Sequence, residues 1–251
     1  MKKIIALSLI CSISLFATVQ AFGPQSPSQM FTTSSQKEND LGEKKISTKQ
    51  DFLAFISTLE TAYKLGDKAK GYLLGGIYSQ EHALEDGIIP ANVPLALNYF
   101  HETLEAGYGI AAWQIVMIEY LPKQDYFKAL EILEEGINAK FVEKNAKVSL
   151  VLTFGTIVLE NLNENQSLIR KARDLIYPYA VQNNLASLDY VLANLLNLND
   201  EIEEANKFLN SACNNPNAPR EIQNACLGGD QIVTSDSTGQ IIKRELSQCG
   251  Q

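Results

Sequence analysis

The chain has 251 residues, 45% of them hydrophobic, with a formal net charge of −8 and four cysteines. An acidic balance with no basic cluster argues against a nucleic-acid partner, whose phosphates are neutralised by Lys and Arg. Its two histidines, His82 and His101, lie on different segments with no H-E-x-x-H and no nearby Cys, so they do not read as metal ligands.

The N-terminus reads as an export signal. MKK is a short positive region, IIALSLICSISLFA an apolar run, and TVQA places Val19 and Ala21 at cleavage-site spacing. Residues 1–21 are therefore expected to be removed after Ala21, leaving a periplasmic or secreted protein of bacterial type. The apolar run is short for a bilayer span and is followed by polar residues, which argues against stable membrane insertion. A lipid anchor on Cys11 fits poorly, because Ile10 precedes it and Cys11 lies inside the apolar run. Loss of Lys2 and Lys3 leaves 19 basic against 29 acidic residues, a net −10. Residues 22–48, rich in Ser, Gln, Thr and Lys and without apolar periodicity, read as a flexible leader.

Residues 49–227 read as one helical domain. Apolar positions recur at three- and four-residue spacing, with few alternating stretches. Five segments share one template, with anchors at Phe55, Ala96, Ala129, Ala172 and Ala205. In each, positions zero, three, four, seven and eight lie on one helical stripe, the face a helix buries. The Ala96 copy shows it with Tyr99, Phe100, Thr103 and Leu104. Position eleven holds Gly66, Gly107, Lys140, Asn183 and Pro216, mostly residues that close or cannot continue a helix. The anchors are separated by 41, 33, 43 and 33 residues, in the range of paired-helix repeats.

GYGIAA, residues 107–112, has the G-x-G-x-x-A spacing of a dinucleotide fingerprint. That fingerprint needs a preceding strand. A helical pattern precedes Gly107 instead, so Gly107 is expected to end one helix and Ala111 to begin the next. No cofactor is expected.

LGGIY at 74–78 and PLALNYFHETLEAGYGIAA at 94–112 resemble the Sel1-like repeat, a tetratricopeptide relative. KARDLIYPYAVQNNLAS at 171–187 and EANKFLNSACNNP at 204–216 look like degenerate copies. The resemblance covers roughly residues 50–216. It departs from the pattern where Lys140, Asn183 and Pro216 replace the helix-ending glycine, and only 74–78 keeps L-G-x-x-Y. It implies an all-α, right-handed α-solenoid of antiparallel helix pairs that holds a partner protein, often in signalling or envelope processes. Within L-G-x-x-Y, Gly75 is expected to let two helices approach closely, with Tyr78 filling the groove beside it.

Solenoids bind on a concave surface built largely by one helix of each pair. Positions two, six and nine of the second helices face away from the buried stripe. They nominate Tyr72, Trp113, Met117 and Tyr120 as partner-binding residues, since aromatic residues and Met are favoured at interface anchors. The alternative for Trp113 is packing against a neighbouring helix. A P-loop and G-x-S-x-G are absent from the sequence, and Glu102 with Glu105 reads as a solvated helix face. The expectation is a non-catalytic scaffold that binds a protein as adaptor or regulator of an envelope process. The alternative, an envelope enzyme or wall-binding protein, needs clustered carboxylates or a pocket.

Residues 220–227, REIQNACL, predict one more short helix capping the stack. In 228–251 two β-branched runs flank DSTG, the pattern of a small hairpin, which is marginal alone in water; a poorly structured tail is the alternative. Signal cleavage leaves Cys213, Cys226 and Cys249. Export permits disulfides. Cys213–Cys226 is the favoured pair, and Cys226–Cys249 competes with it.

Overall fold

The computed structural model describes residues 46–227 together with strand residues 233–235 and 241–243. The signal segment, the leader through residue 45 and Cys249 lie outside the described residues. The described chain is all-α: ten α-helices, with two short antiparallel hairpins. Its contacts form two compact units divided between Leu150 and Val151.

In the first unit, helix α1 (Lys49–Lys64) starts where Thr48 Oγ1 accepts the Asp51 amide at 3.2 Å. Asp51 in the first turn and Lys64 in the last complement the helix dipole. Its buried stripe is Phe52, Ile56, Leu59 and Tyr63. The repeat template holds here at Leu59 and Tyr63, but Thr58 is exposed, because the true stripe runs through Ile56. Gly66, at φ +108°, closes the helix as expected.

Helix α2 (Lys70–Tyr78) lies between α1 and α3 (Val93–Glu105) and is apolar all round. Two of its glycines set the spacing. A Cβ on Gly75 would stand 2.6 Å from a Phe100 ring carbon, and one on Gly71 would stand 2.1 Å from Thr103 Oγ1. The close approach expected at Gly75 is therefore present, and Phe100 fills it while fully buried.

A hairpin interrupts the helices where none was expected. Strands β1 (His82–Leu84) and β2 (Gly87–Ile89) pair antiparallel with Leu84 opposite Gly87. Asp86-Gly87 is an available turn signal between two apolar stretches. The hairpin is tied to the start of α1: the Glu85 amide donates to Ser47 O at 2.9 Å and the Lys49 amide to Asp86 Oδ1 at 2.8 Å. Leu84 and Ile89 pack on the Phe52–Tyr63 cluster.

Helix α3 is capped by Asn92, whose Oδ1 accepts the Leu95 amide. It buries Ala96, Phe100, Thr103 and Leu104 of the stripe read from the template, while Tyr99, its plus-three position, is half-buried. Helix α4 (Ala111–Ile115) begins at Ala111 and widens into a π turn over Val116–Tyr120. Helix α5 (Tyr126–Asn138) follows, capped by Asp125 and burying Ala129, Ile132, Leu133 and Ile137. Helix α6 (Lys144–Asn161) contains the division between the units.

In the second unit α6 meets α7 (Gln166–Asn183) and α8 (Ala186–Leu198) at Gly155, where a Cβ would stand 2.2 Å from Ile176 and 2.9 Å from Val191. Helix α7 buries Ala172, Ile176 and Ala180, again at template positions. The left-handed residue that ends it is Asn184, at φ 46°, one position beyond the Asn183 of the template. Helix α8 packs between α7 and α9 (Ile202–Cys213), and α10 (Arg220–Leu227) covers the end. The cluster Ala186, Tyr190, Leu209, Ala212, Ala218 and Ile222 forms this core. Strands β3 (Val233–Ser235) and β4 (Ile241–Lys243) pair antiparallel.

Candidate functional site

The glycine loop is structural. Gly107 follows α3 at φ +91°, and its carbonyl accepts the Phe141 amide at 2.8 Å. Five of the six amides over 107–112 are engaged within the fold. Those of Gly107 and Tyr108 bond back to Leu104 and Thr103, that of Gly109 to Phe141 O, and those of Ala111 and Ala112 to Tyr108 and Gly109. The Tyr108 and Phe141 rings stack over the clamp at 4.9 Å.

Of the four nominated partner-binding residues, Tyr72 is misassigned. It is 6% exposed, its ring packs 5.9 Å from Phe100, and its hydroxyl accepts from Gln114 Nε2 at 3.4 Å. The reason is tertiary: α2 is covered by α1 on one side and α3 on the other, leaving position two no outward face. Burial pushes the Tyr72 phenol up to about 12. Trp113, Met117 and Tyr120 follow one another along α4 and its π turn, each half-buried. Trp113 Nε1 is buried and has no hydrogen-bond partner among the described residues. In the same turn, Glu119 Oε2 lies 3.0 Å from His101 Nε2, and Glu119 Oε1 accepts from Lys123 at 3.2 Å. Burial acts to raise the Glu119 carboxyl, but these two partners outweigh it and hold it below its ordinary value. The other histidine, His82, has Nε2 at 2.8 Å from Ile77 O, with its ring 4.6 Å from Phe52.

A second group of aromatic residues gathers where α1, α2 and α3 meet. Tyr63 donates to Glu102 Oε2 at 2.5 Å; Tyr78 and Tyr99 both donate to Glu60 Oε1, at 3.0 and 3.3 Å. Tyr99 stands edge-on to Tyr63, centroids 5.2 Å apart, and stacks on Tyr78 at 5.8 Å. Burial first, and then the Glu60 carboxylate, push the Tyr78 phenol up to about 12; burial first, and then Glu102, also raise the Tyr63 phenol above its ordinary value. Sequence periodicity marked these tyrosines as stripe or groove residues and Glu102 as solvated. It could not show that stripe positions on three helices bring their hydroxyls to two carboxylates.

Elsewhere the polar groups are scattered. Glu160 Oε1, Thr156 Oγ1 and Ser187 Oγ are buried without partners among the described residues, and burial raises Glu160 to about 7. Buried Asp189 accepts from Ser211 at 2.6 Å. Arg173 pairs with Glu201 and Asp174, and Tyr177 donates to Glu204 at 2.7 Å. Among the described residues no group of three His, Cys, Asp or Glu is placed to hold a metal ion.

Cys213 and Cys226 form a disulfide, with Cα atoms 5.7 Å apart, joining the end of α9 to α10. Among the described residues no helix is long and apolar enough to cross a membrane. No family model, curated protein or solved structure matches the chain.

Proposed function

We propose that the protein is an exported bacterial repeat scaffold of Sel1-like type, a right-handed α-solenoid that binds a partner protein as adaptor or regulator of an envelope process. The observation that supports this best is the recurrence of one buried stripe. Ala96, Ala129, Ala172 and Ala205 are each fully buried, and each opens a stripe whose plus-four residue, Phe100, Leu133, Ile176 or Leu209, is also buried. Units that bury their faces on neighbours build extended binding surfaces. The signal-like residues 1–21 support export, and the disulfide suits an oxidising compartment. Half-buried Trp113, Met117 and Tyr120 are the partner-binding residues of this reading.

Purification of the tagged, processed protein from a bacterial envelope fraction, with recovered proteins re-tested by direct binding to pure protein, examines the proposal. A specific protein that binds the wild type and is lost on Trp113→Ala, with the melting temperature retained, supports it. Recovery of no specific protein, together with binding to purified wall polymer, overturns it in favour of a wall-binding protein.

A further inference from the structure

The tyrosine–glutamate cluster already holds cations of the chain, Lys64 at Glu60 and Lys68 at Glu102. Lys68 Nζ lies 3.8 Å from the centroid of the Tyr63 ring and 3.6 Å from Glu102 Oε2. Its loop is pinned, since the Lys68 carbonyl faces the buried Thr103 hydroxyl at 3.5 Å and accepts the Gly71 amide at 3.1 Å. Yet the pair is open to solvent: the Lys68 and Glu102 side chains are 39% and 55% exposed. Tyr63 is 6% exposed, and Lys68 lies over one face of its ring. Taking Lys68 away leaves an aromatic face with a carboxylate beside it; the second carboxylate of the cluster, Glu60, accepts from Tyr78 and Tyr99 and keeps Lys64 at 3.9 Å.

An aromatic face with an adjacent carboxylate is complementary to a flat cation. Guanidinium suits it better than ammonium, because it is more weakly hydrated, stacks on a ring and engages a carboxylate through two N–H groups. An exposed ammonium–carboxylate pair shifts an equilibrium by only about fivefold or less, so Lys68 is a displaceable occupant. We propose that this cluster receives an arginine side chain of a partner protein, stacked on Tyr63 and paired with Glu102, with Lys68 as the internal cation that it displaces. The inference rests on the scaffold reading and supplies the chemistry of its partner.

The test uses the processed full chain with ring-labelled tyrosine, titrated with N-acetyl-arginine amide and, separately, with the uncharged isostere N-acetyl-citrulline amide. Arginine should shift the Tyr63 and Tyr99 ring signals in NMR spectra and citrulline should not. Lys68→Ala should tighten arginine binding by about fivefold, and Glu102→Gln should weaken it by about tenfold, since a charge-assisted pair becomes a neutral one. Equal shifts from the two probes, or an affinity that Lys68→Ala leaves unchanged or lowers, overturns the inference. Melting curves check that both surface variants fold; if Glu102→Gln does not, the Lys68→Ala and citrulline arms decide. A captured partner whose binding survives Glu102→Gln sinks this inference and leaves the scaffold standing. Failure to recover any partner, together with binding to purified wall polymer, sinks the scaffold reading, while the titration still decides the site.

Discussion

Gly75→Ala tests the helix packing most directly, because the added methyl has nowhere to go. The new carbon would stand 2.6, 2.7 and 2.8 Å from three Phe100 ring atoms, against about 3.5–4.0 Å for a carbon contact at its optimum. The ring cannot retreat easily: Phe100 is fully buried, and Tyr72 packs against it. Helix α2 must therefore move off α3 by roughly 1 Å, and gaps of that size forfeit a quarter to a half of each contact they open. Overpacking costs about 1–3 kcal/mol, while Ala returns up to about 1 kcal/mol of helix propensity over Gly. Contacts this short, against a ring that cannot easily retreat, put the overpacking in the upper half of its range. The expected net loss is therefore about 1–2 kcal/mol, read as a lower urea midpoint by circular dichroism. Gly66→Ala is the control. It has nothing within 4 Å, so its cost comes from the φ of +108° alone, about 1–2 kcal/mol. Phe100→Leu should then rescue Gly75→Ala but not Gly66→Ala, with a coupling of about 1 kcal/mol in a double-mutant cycle. A Gly75→Ala variant as stable as wild type, or additivity with Phe100→Leu, refutes the close-approach argument.

Three further outcomes are expected. Cys213→Ser with Cys226→Ser opens a loop whose closure is worth roughly 3 kcal/mol in the chain-entropy model, and amides of the eight-residue α10 should lose hydrogen-exchange protection; unchanged protection removes the bond's stapling role. Glu160 is raised by burial to about 7 in the fold against an ordinary 4.5, so its stability contribution is intact below 4.5 and is lost as pH rises to 7. Partial solvent access limits the effect to about 1–2 kcal/mol. Glu160→Gln should gain that much over wild type at pH 8 and nothing at pH 4; a gain independent of pH contradicts the assignment. Leu104→Ala should cost about 2–5 kcal/mol, and Trp113→Ala clearly less; equal losses in thermal melts would make Trp113 a core residue and remove it from any partner face.

Local chemistry along the chain was sufficient for the helix stripes and most of their stops, and it favoured the disulfide that forms. The stripe Ala96, Phe100, Thr103 and Leu104, the turn at Gly107 and the start at Ala111 follow from 3.6-residue periodicity and the freedom of glycine. Cys213 and Cys226 were legible because a short loop and a breaker cluster return one to the other. What the chain could not reveal locally depends on which faces are covered twice. Periodicity measures an angle around one helix, so it put Tyr72 opposite the buried stripe; it cannot count neighbours, and α2 has one on each side. The hairpin at 82–89 was hidden for a related reason, since three-residue strands are too short to show a period and gain their stability from Ser47, Asp86 and the α1 core. The meeting of Tyr63, Tyr78 and Tyr99 at Glu60 and Glu102 joins residues up to 39 positions apart. Only the packing of three helices, drawn close by Gly71 and Gly75, brings those hydroxyls and carboxylates within hydrogen-bond reach.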